Sequence, residues 1–314
     1  MRKKQWRLAG LLGCMGVLLG VIFAAWPHYA AQQQVDILFH QRLDVPTVSA
    51  KTPNAQALRV AVSSVLSPKQ TIGYYRAIAD YLGEALGRPV ILIQRQNYGE
   101  IGMLLLNGGA DIAFFSGGEY AAYSNFTDIE LLVSQVRQGA PYYEGYLLVP
   151  KDSTSQSLAD LRGKSVAFTD PLSYSGYSFI AYQLRQNGET PERFFSHYLY
   201  TYSHDKSLRA VASKVVDAAP VTSLAYNKAK LTAPDLAAAV RIIAVSPPAG
   251  IGPVVAGKTL TVEEREKLRS LFLTMHTEPR LAAALQGLLI DRFIMPQPEL
   301  YIINRKMMGS NQER

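Results

Sequence analysis

Cysteine is almost missing from this chain: Cys14 is the single example in 314 residues. An internal disulfide framework is therefore excluded. With only five histidines, none at paired spacing, the usual ingredients of a zinc or iron site are missing too, so no metal and no cofactor is expected. Charge is sparse as well, at 18% of residues against 48% apolar with a mean hydropathy of +0.01, which is too hydrophobic for a disordered chain. Two enzyme signatures fail for want of glycine. Gly163-Lys164-Ser165 looks like the end of a phosphate-binding loop, but the glycine needed five residues before Gly163 is Leu158. A nucleophile elbow around Ser175 would need glycine on both sides, where Ser173 and Tyr177 stand. A catalytic set of Ser173, His204 and an Asp has no accompanying oxyanion-hole signature, and an enzyme is not expected.

What the chain does have is a formal net charge of +7. A basic excess spread over one face would suggest nucleic acid. Here Arg2, Lys3, Lys4 and Arg7 supply four positive charges within residues 1–7, which leaves 28 basic against 25 acidic side chains in the remainder. Nucleic acid is not an expected partner. Residues 8–26 carry no charge, and a helix of that length spans about 28 Å, close to a bilayer core. The expectation is one N-terminal transmembrane helix over 8–26 as anchor or signal. Its basic flank at 1–7 stays cytoplasmic, and everything after residue 30 lies across the membrane. Cleavage near residues 23–25 or 29–31, and lipidation at Cys14 within Leu11-Leu12-Gly13-Cys14, are the alternatives. Residues 27–57 read as a polar linker.

From Leu58 the pattern is α/β. Strand-like alternation at 58–63, helical spacing through Ile78, Leu82 and Leu86, a strand at 89–93, a short helix at 100–107 and an apolar run at 110–115 make a βαβαβ unit. Strands near 144–149, 165–168, 198–202, 216–221 and 240–245 form a second unit, with a helical turn at 158–162 and helices at 175–186 and 206–213 between them, and helices follow at 262–276 and 280–289. Parallel sheets with helices on both faces are expected, in two doubly wound α/β lobes. The boundaries read 58–143 and 246–300 for lobe 1, 144–245 for lobe 2 and 301–314 for a C-terminal tail. Parallel sheets gather ligands at the carboxyl ends of their strands, so the cleft between the lobes is the expected site.

Three groups of residues could work there. Ser173, Tyr174, Ser175 and Gly176 open a helix after the strand ending at Phe168, and free amides beside small hydroxyls suit an anion; Ser173 acting only as a helix cap is the plainer alternative. Ser203-His204-Asp205 stands between a strand and a helix, with Asp205 as cap the plain reading. Tyr75, Ser116 and Tyr120 follow strands of lobe 1, where a tyrosine offers a flat wall and a hydroxyl donor.

In order along the chain, Y-x-x-I-A-x-Y-L from Tyr75, G-A-D-I-A-F from Gly109, D-P-L-S-Y-S-G-Y from Asp170, S-H-D-K-S-L-R-A-V from Ser203 and V-D-A-A from Val216 resemble the phosphonate/phosphite/phosphate-binding solute receptors of ABC transporters. The resemblance runs over about residues 58–300. It implies a two-lobe periplasmic-binding-protein fold that closes on a tetrahedral oxyanion, with hinges near Glu144 and Val245 to Pro247. The oxygens would be held by Ser173, Tyr174, Ser175, Gly176, His204 and Asp205, with Ser116 beside them and Tyr75 and Tyr120 covering from lobe 1. Its implied partner is an ABC permease; a membrane-fixed sensor signalling to a histidine kinase is the alternative. Thr222 and Ser223 stand where an acid would be expected in a receptor for an amino-bearing phosphonate, so phosphate or phosphite is the favoured ligand.

Overall fold

The computed structural model describes residues 57–63 and 68–308. The expected membrane helix, its basic flank, almost all of the linker and Cys14 lie outside the described residues. Among those described, no helix is long and apolar enough to cross a membrane.

In chain order the first elements are β1 (Leu58–Ser63), α1 (Pro68–Leu86), β2 (Val90–Arg95), α2 (Tyr98–Leu106), β3 (Ile112–Phe114), α3 (Gly117–Tyr123) and β4 (Ile129–Val136). Their ends follow from local chemistry. Gly87 takes φ +64° after α1, and Arg88 then donates its amide to the Gly83 carbonyl at 2.9 Å, a glycine-terminated C-cap. Asn97 caps α2 by accepting the Glu100 amide at 3.3 Å. The chain then crosses through β5 (Tyr142–Tyr143) and builds β6 (Gly145–Pro150), β7 (Ser165–Phe168), α4 (Phe179–Gln186), β8 (His197–Tyr200), α5 (His204–Ala212), β9 (Ala219–Thr222), α6 (Ser223–Thr232) and β10 (Val240–Val245). It returns through β11 (Ala249–Gly250) to β12 (Val254–Gly257), α7 (Val262–Thr274), α8 (Ala282–Gly287), β13 (Arg292–Ile294) and α9 (Ile302–Met308).

The first sheet has the order β13-β4-β12-β3-β1-β2. Residues alternate across it. Leu58, Val60 and Val62 of β1 join Ile112, Phe114, Val254 and the α1 and α7 residues Ile78, Leu82, Leu268 and Phe272 in one core. Ala61, Ala113 and Val255 face the opposite core with Tyr98, Ile101 and Leu105 of α2 and Tyr120 and Tyr123 of α3. Both faces are thus buried, which is why β1, β3 and β12 read as nearly continuous apolar runs.

The sheets are mixed, and the expectation of all-parallel pairing is corrected. β2, β1 and β3 are parallel, but β12 runs antiparallel to both β3 and β4, and β13 antiparallel to β4. In the second sheet β10, β6 and β9 are antiparallel neighbours. A parallel bridge from Ala218 to Val166 extends this sheet to the parallel pair β7 and β8. The reason is that β6 and β12 follow extended crossovers in place of helices, and a strand that enters a sheet without a helical return need not keep its direction. The two crossovers run side by side, β5 pairing antiparallel with β11.

Residues 301–308, expected as the start of a tail, pack against both halves. Tyr301 belongs to the α2–α3 core of the first sheet, and Met307 to the core formed by Val166, Phe168 and Phe179 of the second. The apolar stripe of this helix is only seven residues long, too short to stand out as a period.

Candidate functional site

Three helices begin at one place. Ser116 caps α3: its hydroxyl accepts the Glu119 amide at 3.1 Å while the Glu119 carboxylate accepts the Ser116 amide at 3.1 Å. Ser173 caps a π-type turn that leads into α4, its hydroxyl accepting the Gly176 amide at 3.0 Å and its carbonyl the Ser178 amide at 2.9 Å. Thr222 caps α6 by accepting the Leu224 amide at 3.3 Å. All three caps line one cavity of about 20 Å³, room for one or two waters. First-turn amides have no acceptor within their own helix, and each N-terminus carries roughly half a positive charge. The convergence makes a positive field before any ionised side chain is counted.

His204 opens α5 on the same cavity and is 2% exposed. The Thr222 amide donates to its Nδ1 at 3.1 Å. A backbone N–H can only donate, so Nδ1 is bare and the ring proton sits on Nε2. Burial lowers the imidazole pKa to about 3, so the ring is neutral near pH 7 and presents an N–H donor toward Ser173 Oγ, 3.5 Å away, and the cavity. This wiring is the reverse of a hydrolase pair. A general base would need a bare Nε2 and a carboxylate at Nδ1, and Nδ1 here meets an amide and Thr169 Oγ1 at 3.2 Å.

Arg137, Tyr98, Tyr143 and Ser175 add the remaining polar wall, and Phe115, Leu224 and Ile251 the apolar one. The Tyr98 hydroxyl is buried without a hydrogen-bond partner among the described residues, and burial drives its pKa well up. Ser175 Oγ makes no hydrogen bond of full geometry, though it sits near enough to the Tyr143 phenol to temper the rise that burial gives that phenol's pKa.

Of the residues expected at the site, Ser116, Ser173, Ser175 and His204 are brought together here. Five others do not line the cavity. Tyr75 stacks edge-on to Phe114 at 5.1 Å, with its phenol against the Arg137 guanidinium behind the wall. Tyr120 packs on Tyr301 at 4.6 Å, because α3 turns that face away from its own N-terminus. Tyr174 sends its hydroxyl to the Pro247 carbonyl at 2.7 Å, and the Gly176 amide is consumed by the Ser173 cap. Asp205 accepts from the Ser203 hydroxyl; the cap position of α5 is Ser203, not Asp205.

Tyr98, Arg137, Tyr143 and Thr222 escape a reading of the sequence. Arg137 follows directly on β4, an eight-residue strand that is buried over most of its length and shows no clean alternation in its sequence. An arginine closing an apolar run just before Gly139 and Pro141 is the signal that would have found it.

Asp170 stands beside the cavity, 1% exposed, accepting the Tyr98 amide at 3.1 Å and the Leu172 amide at 2.8 Å. Burial outweighs those two bonds and raises its pKa from 3.8 to about 6. The folded chain therefore holds a proton between those values that the unfolded chain has released. Stability conferred by this group falls as pH rises through that window, by roughly 3 kcal/mol once pH exceeds 6. Asp170→Asn is expected to flatten the dependence of Tm on pH between 4 and 7. Retention of the wild-type slope would assign that proton to another group, such as the buried Glu119, whose pKa burial also raises.

Comparison with solved structures gives the fold. The fold matches that of a binding-protein component of an ABC phosphonate transporter from Pseudomonas aeruginosa with a TM-score of 0.73 at 23% identity, over 81% of this chain and 89% of that one. It matches a methylphosphonate-bound protein from Prochlorococcus marinus (MIT 9301) with a TM-score of 0.72 at 18% identity, over 81% and 97%. This is a mixed α/β fold of the periplasmic-binding-protein kind. A family model described as "ABC transporter, phosphonate, periplasmic substrate-binding protein" matches residues 60–301, and the chain belongs to that family. Among curated proteins it is 29% identical over 154 residues to a phosphonates-binding periplasmic protein of Escherichia coli (strain K12), covering 48% of this chain and 45% of that protein. It is 27% identical over 172 residues to a phosphate-import protein of Mycolicibacterium smegmatis, covering 52% and 54%. The aligned chain thus spans about half the length of these relatives.

Proposed function

We propose that the chain is the periplasmic substrate-binding component of an ABC-type uptake system for phosphate, phosphite or a simple phosphonate, delivering its ligand to a membrane permease. The convergence of the Ser116, Ser173 and Thr222 helix starts on one small cavity carries this reading. Ser173 and Ser175 offer hydroxyl protons, His204 offers Nε2–H, and first-turn amides of α3 and of the turn before α4 complete a set made of donors, the complement of an acceptor-only oxyanion; the first two amides of α6 are taken by the Glu144 carbonyl and the Thr222 hydroxyl. What the relatives are named for, phosphonate binding and phosphate import, supports the same ligand class.

In this reading the first sheet, from 58–143 and 246–300, and the second, from 144–245, form two lobes that close on the ligand. The paired crossovers β5 and β11 are the hinge, and the uncharged segment 8–26 tethers the receptor to the inner membrane. Tyr75 and Tyr120 then act as supports of the wall and not as its surface.

Titration calorimetry against phosphate, phosphite, methylphosphonate and 2-aminoethylphosphonate tests the reading. Binding is expected for the first three. The aminoalkyl compound should bind at least tenfold more weakly, because Leu224 lines the cavity just past β9, where Thr222 and Ser223 stand in place of an acid for an ammonium group. Heat from none of the four would refute the oxyanion assignment.

A further inference from the structure

Arg137 lines the cavity and has no task in the reading above. Its residue is 8% exposed, at the end of β4, where an antiparallel bridge from Arg137 to Ala140 closes a tight turn with Gln138 and Gly139 at φ +51° and +83°. Nε and Nη2 both donate to Gln135 Oε1, at 3.0 and 2.7 Å. The orientation of that amide is fixed from its other end, since Gln135 Nε2 donates to the Gly252 carbonyl at 2.5 Å. The partner is therefore an uncharged oxygen, and the other side chain against the guanidinium is the Tyr75 phenol, also uncharged.

No ion pair among the described residues includes Arg137. The charged and titratable groups facing it are Tyr75 from α1, Tyr143 from β5, Lys228 from α6 and Asp291 ahead of β13. Asp291 is engaged elsewhere, its Oδ2 accepting the Gly139 amide at 2.7 Å. A buried guanidinium with no carboxylate within ion-pair distance is an unfavourable arrangement unless something supplies the charge. The cavity, meanwhile, receives three helix N-termini of about half a charge each.

We propose that Arg137 is the charge-selecting residue of the site: the bound oxyanion is its counter-ion, and the cavity takes the doubly charged form of a tetrahedral oxyanion in preference to the singly charged one. This deepens the oxyanion reading and rests on it. The guanidinium and the three helix ends together present roughly between two and three positive charges, more than a singly charged ligand can balance, and neutral His204 adds a donor without adding to them.

The test is calorimetry and thermal unfolding of the full chain with methylphosphonate as probe. Wild-type affinity should rise with pH in proportion to the dianion fraction of the ligand. Arg137→Met should bind at least tenfold more weakly, lose the ligand-induced shift in Tm, and without ligand melt no lower than wild type, since an unpaired buried charge has gone. Arg137→Lys, which keeps the charge without the fork, should regain part of the shift, and Arg137→Gln should regain none. An Arg137→Met protein that binds as tightly as wild type, or a wild type whose affinity follows the monoanion, overturns the proposal and leaves the oxyanion reading standing. A wild type that binds none of phosphate, phosphite or methylphosphonate ends both.

Discussion

Alanine in place of His204 is expected to weaken methylphosphonate binding about 100-fold, or about 2.7 kcal/mol. Two losses add. The Nε2–H donor to an ionised oxygen disappears, worth about 1.5 to 3 kcal/mol for a charge-assisted bond, and the Thr222 amide loses its acceptor. The ratio of wild-type to variant affinity should stay constant from pH 6 to 8. With its pKa held down to about 3, His204 is a neutral donor across that range, and any pH dependence of binding belongs to the ligand and appears equally in both proteins. Calorimetry at three pH values checks this. A ratio that climbs tenfold toward pH 6 would mean that the imidazolium is the binding form and that the assigned tautomer is wrong. His204→Gln should recover part of the loss, because an amide N–H can replace one role of the ring but not both.

The second large effect is expected at Gly118, in the first turn of α3. A Cβ there would overlap the Leu172 carbonyl oxygen and stand 2.8 Å from the Tyr174 amide nitrogen, both in the segment that leads into α4 on the other half of the molecule. Within a helix, Gly→Ala ordinarily stabilises by about 1 kcal/mol. Gly118→Ala should therefore separate two quantities that usually move together, raising or preserving Tm while lowering oxyanion affinity about 100-fold. Backbone atoms on the far side cannot step aside as a flexible side chain would, so the added methyl penalises only the state in which the halves meet. Small-angle scattering with and without methylphosphonate supplies the second readout: compaction in wild type and none in the variant. Unimpaired binding by Gly118→Ala would show that the halves need not approach at Leu172.

How much of this was legible in the sequence depends on how local each feature is. Ser173 and Ser175 could be found because a helix start after a strand is a short-range pattern, and His204 because it stands at the next such start. Thr222 belongs to the same class, but its helix, α6, has mixed polarity and no apolar period to announce it, so its cap is not legible in the sequence. Tyr75 and Tyr120 were misplaced for a different reason. Position after a strand fixes which end of the sheet a residue occupies, but helix phase decides whether its ring turns to the cleft or to the core, and both turned to the core. β4 and β12, the strands that carry the first sheet past its βαβ unit, are buried on both faces and show no alternation to distinguish them from helix segments. Arg137 was lost along with β4.

The helix α9 constrains how such a molecule can move. Tyr301, just ahead of it, donates its hydroxyl to the Ile251 carbonyl at 2.9 Å on one side, and on the other the Met307 carbonyl accepts from Arg185 Nη2 at 2.6 Å. Two crossovers alone would leave a nearly free axle. A third connection, spanning only about 10 Å of helix, acts as a strap in parallel with them. Swinging the halves apart must either peel Met307 from the second core or pull Tyr301 from the first, so the strap loads the axle like a spring. If the halves open and close as proposed, the resting gap between them is governed in part by the packing of Tyr301 and Met307, where substitutions can alter affinity although neither residue lines the cavity.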